Sequence, residues 1–161
     1  MKHVKNIQRT SRIGLWGSVT AVLLTVVFIY ASPWRFYPSA YTSGWMLSAG
    51  AVLAVLAVSM TLLSVRRRIP QLRQSEDEET KLAGYEAHVR SLYTTMLAVV
   101  VVLCAFTILS ARNVLLMLAI VSVLVLFLNY PNIYRIKVDL GLTDEEMKNL
   151  FGDKYIGGDA Q

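Results

Sequence analysis

The stretch LYTTMLAVVVVLCAFTILSARNVLLMLAIVSVLVLFL, running from Leu92 to Leu128, decides the fold. Its 37 residues carry a single charge, Arg112. As one helix it would reach about 55 Å at about 1.5 Å per residue, against a hydrocarbon layer of about 30 Å. The chain must therefore turn back within it, and Arg112-Asn113 is the place: Arg112 favours water or headgroups, and Asn113 is suited to cap the next helix by accepting a backbone N–H. This predicts two spans, 92–111 and 114–130, joined by a tight turn at 112–113, the second ending before Pro131.

Working toward the N-terminus, the run Trp45 to Val65 is uncharged and stops at Arg66, Arg67 and Arg68. Its 21 residues make a helix of about 31 Å, one crossing. A further apolar run, residues 13–31, follows a basic tail of Lys2, Lys5, Arg9 and Arg12. That layout also fits a signal peptide, but the residue three before a cut near Ala31 and Ser32 would be Ile29 or Tyr30, where a small side chain is needed; the run is read as a retained span. The expectation is an all-α integral membrane protein of four transmembrane helices.

Composition agrees with lipid as solvent. Hydrophobic residues make up 55% of the 161 and charged residues only 17%, and the charge is gathered into blocks between the apolar runs. The net charge of +5 is explained by basic flanks of spans rather than by nucleic-acid binding. With four spans, the tail, the 66–91 loop and the C-terminal segment 131–161 share one side and hold fourteen lysines and arginines, against Arg35 and Arg112 on the other. Positive charge resists translocation, so both termini are expected inside, in a bacterial cytoplasmic membrane. Trp34, Phe36, Tyr37, Tyr41 and Trp45 make the outer loop 32–44 aromatic, and Trp16, Tyr93, Tyr130 and Tyr134 mark the inner ends, as interfacial anchors do.

Chemistry is harder to find. The spans contain no Asp, Glu, Lys, Arg or His, the groups that ion pathways and intramembrane catalysis draw on. Their hydroxyls (Ser18, Thr20, Thr25, Ser48, Ser59, Thr61, Thr107, Ser122) can bond back to their own helices. His3 and His88 lack metal-ligand spacing, Cys104 has no base that the sequence nominates, and Gly157-Gly158 is not a phosphate loop. No catalytic, metal or cofactor residues are assigned.

Packing is better marked. Gly50, Ala54, Ala57, Thr61 and Ser64 form a stripe of small residues, as do Gly14, Ser18, Ala21 and Thr25 on the first span; such stripes admit another backbone closely, here each other's or a neighbouring subunit's. Arg66, Arg67 and Arg68 are placed against anionic lipid. Ile69-Pro70 is expected to end the second helix, and Ser75 with Glu78 to form a capping box opening a helix over about 76–91 that runs into the third span, with Leu82, Tyr85, Val89, Leu92 and Met96 on one face and Gly84 weakening it. Thr143 with Glu146, stapled by Leu142 and Met147, predicts a second cytoplasmic helix over about 144–151 stopped by Gly152. Its apolar residues Leu140, Leu142, Met147, Leu150 and Phe151 are expected to meet a partner. The favoured function is a non-enzymatic interaction or accessory subunit, with the bilayer and either a protein partner or further copies as its contacts. A small oligomeric transporter or channel, and a lipid-modifying enzyme at the Arg66 to Arg68 interface, are the alternatives.

Overall fold

A computed structural model describes residues 2–31, 40–74 and 77–151. The expected outer loop with Trp34, Phe36 and Tyr37, the Tyr41 side chain, Ser75, the stop at Gly152 and Gly157-Gly158 lie outside the described residues. Six helices follow in order: α1 (Lys2–Ala31), α2 (Ala40–Arg73), α3 (Glu78–Ser110), α4 (Asn113–Leu128), α5 (Ile133–Leu140) and α6 (Asp144–Phe151).

Three helices, α1 to α3, are long and apolar enough to cross a membrane, and a fourth crossing is reached if α4 and α5 count as one broken span. The fourth run is thus shorter than expected. Its 16 helical residues extend about 24 Å, and the chain then bends by 76° into α5 instead of continuing through Tyr130. Pro131, fully buried, sits in the bend.

Helix α3 is the post on which the others lean, touching α1, α2 and α4 along its length. Its buried face reads Leu82, Tyr85, Val89, Tyr93, Met96, Val100, Leu103 and Thr107, a spacing of three and four that one helix face produces. The helix is continuous from the polar segment into the apolar one. Its cap is Asp77, whose carboxylate accepts from the Glu79 and Thr80 backbone N–H groups. The expected box of Ser75 with Glu78 lies outside the described side chains; Asp77, next to the first helical residue, satisfies two orphan donors of the described helix.

Three further expectations change. Helix α2 does not end at Ile69-Pro70 but passes through Pro70 to Arg73. Proline costs a helix one hydrogen bond, and here contacts on either side of it offset the loss: Ile69 is buried, Leu72 lies against Gly84, and Arg73 donates to the carbonyls of Val138 and Asp139. Gly84, expected to weaken α3, is what lets Leu72 in, since a Cβ there would stand 2.5 Å from Leu72 Cδ2. At the α3–α4 turn, Ala111 takes the left-handed conformation at φ 53° and Arg112, not Asn113, is the cap residue, without a side-chain cap bond. Arg112 instead donates to Ser43 Oγ at 2.8 Å, and Ser43 reaches the Ser110 carbonyl, so the turn is pinned to the start of α2.

Those contacts fix the direction of each helix. His3 and Asn6 of α1 meet Glu86, and Arg73 at the end of α2 meets α5, whereas the start of α2 meets the α3–α4 turn. One end of the bundle thus gathers the start of α1, the end of α2, the start of α3 and helices α5 and α6. The outward faces are apolar: Leu24, Phe28, Val55, Met60, Leu124 and Phe127 are each exposed.

Close approach of α1 to α3 depends on Gly14, where a Cβ would fall 2.9 Å from Tyr93 Cβ. Gly14→Leu is expected to lower stability by about 1–3 kcal/mol through overpacking, read as a drop in thermal midpoint in mild detergent. Gly44→Leu, with nothing within 4 Å, is expected to leave the midpoint unchanged.

Candidate functional site

The polar chemistry of the chain is concentrated at the charged end of the bundle. Helix α4 ends there with carbonyls that have no intrahelical partner, and side chains supply the donors. Tyr93 Oη donates to the Leu126 carbonyl at 3.1 Å, Asn129 Nδ2 to Val125 at 2.8 Å, and Arg135 to Leu128 and to Asn129 Oδ1. Asn132 caps α5 by accepting from Arg135 N–H at 2.6 Å, and Gly141, at φ 65°, closes it. The carbonyls of Val125, Leu126, Phe127 and Leu128 are thereby all engaged.

Tyr85 of α3 reaches across to this bend and donates to Asp139 Oδ2 at 2.9 Å, with Arg135 3.7 Å from the same oxygen. Burial, reinforced by the Asp139 carboxylate, pushes the Tyr85 phenol well above its ordinary range, so it remains a donor. A second cluster ties α1 to α3: Glu86 accepts from His3 Nδ1 at 2.6 Å and Asn6 Nδ2 at 3.1 Å, with Arg90 at 3.1 Å. Burial raises the Glu86 carboxyl, but the hydrogen bonds of His3 and Asn6 and the charges of His3 and Arg90 outweigh it and hold the group below its usual value. His88, buried between these clusters, is pushed down by desolvation and by the Arg68 guanidinium, against a smaller pull from Asp139. Among the described residues no buried side-chain nitrogen or oxygen lacks a partner.

Helices α5 and α6 form a small shelf under the bundle. Thr143 and Glu146 bond reciprocally, Thr143 N–H donating to Glu146 Oε2 at 2.6 Å and Glu146 N–H to Thr143 Oγ1 at 3.3 Å. Leu140, Leu142 and Met147 are buried in the chain's own core and present nothing to a partner; the Leu150 and Phe151 side chains lie outside the described ones. Helix α5 is absent from the sequence expectations, although Asn132 before it and Gly141 after it are legible start and stop signals. On its outer side Tyr134 is 73% exposed and Val138 47%.

The two small-residue stripes do not pack on each other to any extent. On α1, Gly14 faces Tyr93, Ser18 is buried and Thr25 lies beside Cys104, all toward α3; Ala21 is partly buried against the core. On α2, Gly50 faces Leu115 of α4 and Leu103 of α3, while Ala54, Ala57 and Thr61 are buried. Ser18, Thr25, Thr61, Thr107 and Ser122 each donate to the carbonyl four residues back, at 2.8–2.9 Å, and Ser64 to the Thr61 carbonyl at 2.9 Å.

Arg66, Arg67 and Arg68 are exposed and form no hydrogen bond or ion pair among the described residues. Arg68 borders a lateral groove of about 430 Å³ between α2 and α3 that is also lined by Met60, Ser64, Leu92 and Thr95 and ends at His88 and Ser91. No group of three or more His, Cys, Asp or Glu suited to a metal occurs among the described residues. Compared with family models, with curated proteins and with solved structures, the chain matches none.

The pKa directions fix a pH response. Glu86 is stabilised as a carboxylate, so its contribution is present above its ordinary 4.5 and lost as pH falls below it. His88 is stabilised as neutral imidazole, so its contribution is lost as pH falls below its ordinary 6.5, in the same sense. The thermal midpoint in detergent is expected to fall from pH 7 toward pH 4, and Glu86→Gln to remove only the part of the decline below about pH 4.5; an unchanged acid slope in the variant would contradict the assignment.

Proposed function

We propose that this chain is a four-pass protein of a bacterial-type cytoplasmic membrane, with both termini on the cytoplasmic side, and that it acts without enzymatic chemistry as an accessory subunit docking a soluble partner on α5. Support for the topology comes from the charge distribution: Arg9, Arg12, Arg66, Arg67, Arg68, Arg135 and Lys148 all belong to elements gathered at one end of the bundle, as the positive-inside bias requires. The even number of crossings takes α4 as a span, its short length made up by Arg112 at one end and by Asn129 and Tyr130 at the other.

The observation carrying the functional reading is the outer face of α5. Helix α5 is tied to Tyr85, to Arg73 and to the end of α4, and yet the Tyr134 and Val138 side chains, four residues apart on it, remain exposed. An exposed tyrosine on a helix tied down in this way is suited to be the anchor of an interface, with the valine beside it adding apolar contact. An oligomeric pathway lined by serine and threonine receives less support, because the hydroxyls that would line it are turned onto their own helices.

Cross-linking in native membranes followed by mild-detergent purification is expected to recover a defined partner with the native chain and to lose it with the Tyr134→Ser, Val138→Ser double variant. A chain that purifies alone, or a partner retained by the double variant with an unchanged thermal midpoint, would overturn the reading.

A further inference from the structure

The lateral groove between α2 and α3 has a shape and a polarity that together specify an occupant. It runs from Leu53 and Val99 to Arg68 and His88, about 22 Å along α2 at 1.5 Å per residue. The groove is open along its side and, at that length, can take an extended hydrocarbon chain laid between the two helices.

Its two ends differ. Most of the wall is apolar, supplied by Leu53, Leu56, Met60, Leu92 and Val99. The polar residues collect toward the charged end of the bundle, where Arg68, Ser91 and His88 line the groove and no carboxylate does. Arg68 is exposed and has no hydrogen-bond or ion-pair partner among the described residues, while the nearest acid facing His88, Asp139, is already engaged by Tyr85 and Arg135. A guanidinium with an unopposed positive charge is a bidentate receptor for phosphate.

The geometry points to a phospholipid site: a diacyl phospholipid of net negative headgroup lays one acyl chain between α2 and α3 and sets its phosphate on Arg68, beside Ser91 and His88. This rests on the membrane placement proposed above. It narrows the three-arginine run to one receptor, Arg68, with Arg66 and Arg67 outside the groove. The anchored acyl chain would complete the face of α3 that α2 leaves uncovered at Leu92 and Thr95.

The test uses the full chain reconstituted in phosphatidylcholine vesicles containing a minor fraction of phosphatidylglycerol with a photoactivatable acyl chain, and maps the adducts by mass spectrometry. Adducts are expected on the groove residues of α2 and α3, reduced about tenfold by Arg68→Gln, as for loss of a charge-assisted hydrogen bond, and unchanged by Arg66→Gln. Thr95→Trp, which fills the groove from an exposed position, is expected to abolish them while preserving the thermal midpoint. Equal labelling by photoactivatable phosphatidylcholine, adducts spread evenly over α1 and α4, or indifference to Arg68→Gln would each overturn the site. So would efficient disulfide capture of a second copy through Met60→Cys. A chain that fails to float with the vesicles at all would overturn the membrane placement as well, and is told apart from failure of the site by that flotation step.

Discussion

The outward faces of α1, α2 and α4 carry Leu24, Phe28, Val55, Met60 and Phe127, while the surfaces turned toward α3 carry Gly14, Ser18, Thr25, Ala54 and Thr61. In water that distribution is upside down, because each exposed Å² of apolar surface forgoes roughly 25 cal/mol of transfer free energy. It becomes the low-energy arrangement when the surroundings are themselves apolar and association relies on close packing instead of hydrophobic exclusion. Every hydroxyl on the inward faces is then obliged to find a carbonyl, and the i−4 bonds of Ser18, Thr25, Thr61, Thr107 and Ser122 meet that obligation without asking for a partner on another helix.

The charged end solves the opposite problem. Helix α4 stops short, so its final carbonyls and the bend after it need donors, and Tyr93, Asn129 and Arg135 provide them. Once the bend is fixed, Asp139 is placed where Tyr85 meets it, and the carbonyls of Val138 and Asp139 hold the end of α2 beyond Pro70. The lateral groove follows from the same geometry: α2 is pinned at Ser43 and at Arg73, and between those points it leaves part of α3 open to the side.

What could be read in the sequence was local. The lengths of the apolar runs specify long helices, and the Thr143–Glu146 box forms as read because donor and acceptor are three residues apart. The cap of α3 at Asp77 is likewise local, its carboxylate accepting from N–H groups two and three residues on. Pro70 was misjudged because the contacts that carry α2 past it come from Gly84 and from α5, distant in sequence. His3 with Glu86 and Tyr85 with Asp139 pair across 83 and 54 residues, and no local spacing announces either. The burial of Leu140, Leu142 and Met147 was invisible for a related reason: an apolar helix face shows that it will be covered, not by what.

The placement of α4 is where the proposed topology is most exposed to test. In a Cys104→Ala background, single cysteines replacing Gln74, Asn113 and Lys148 in sealed right-side-out vesicles would be treated with a membrane-impermeant maleimide. Four crossings require the cysteine at position 113 to react from outside and those at 74 and 148 to react only after the vesicles are opened. Reaction of positions 113 and 148 from the same side would show that α4 does not cross, and equal reaction of all three without opening would show that lipid is not the solvent of these helices.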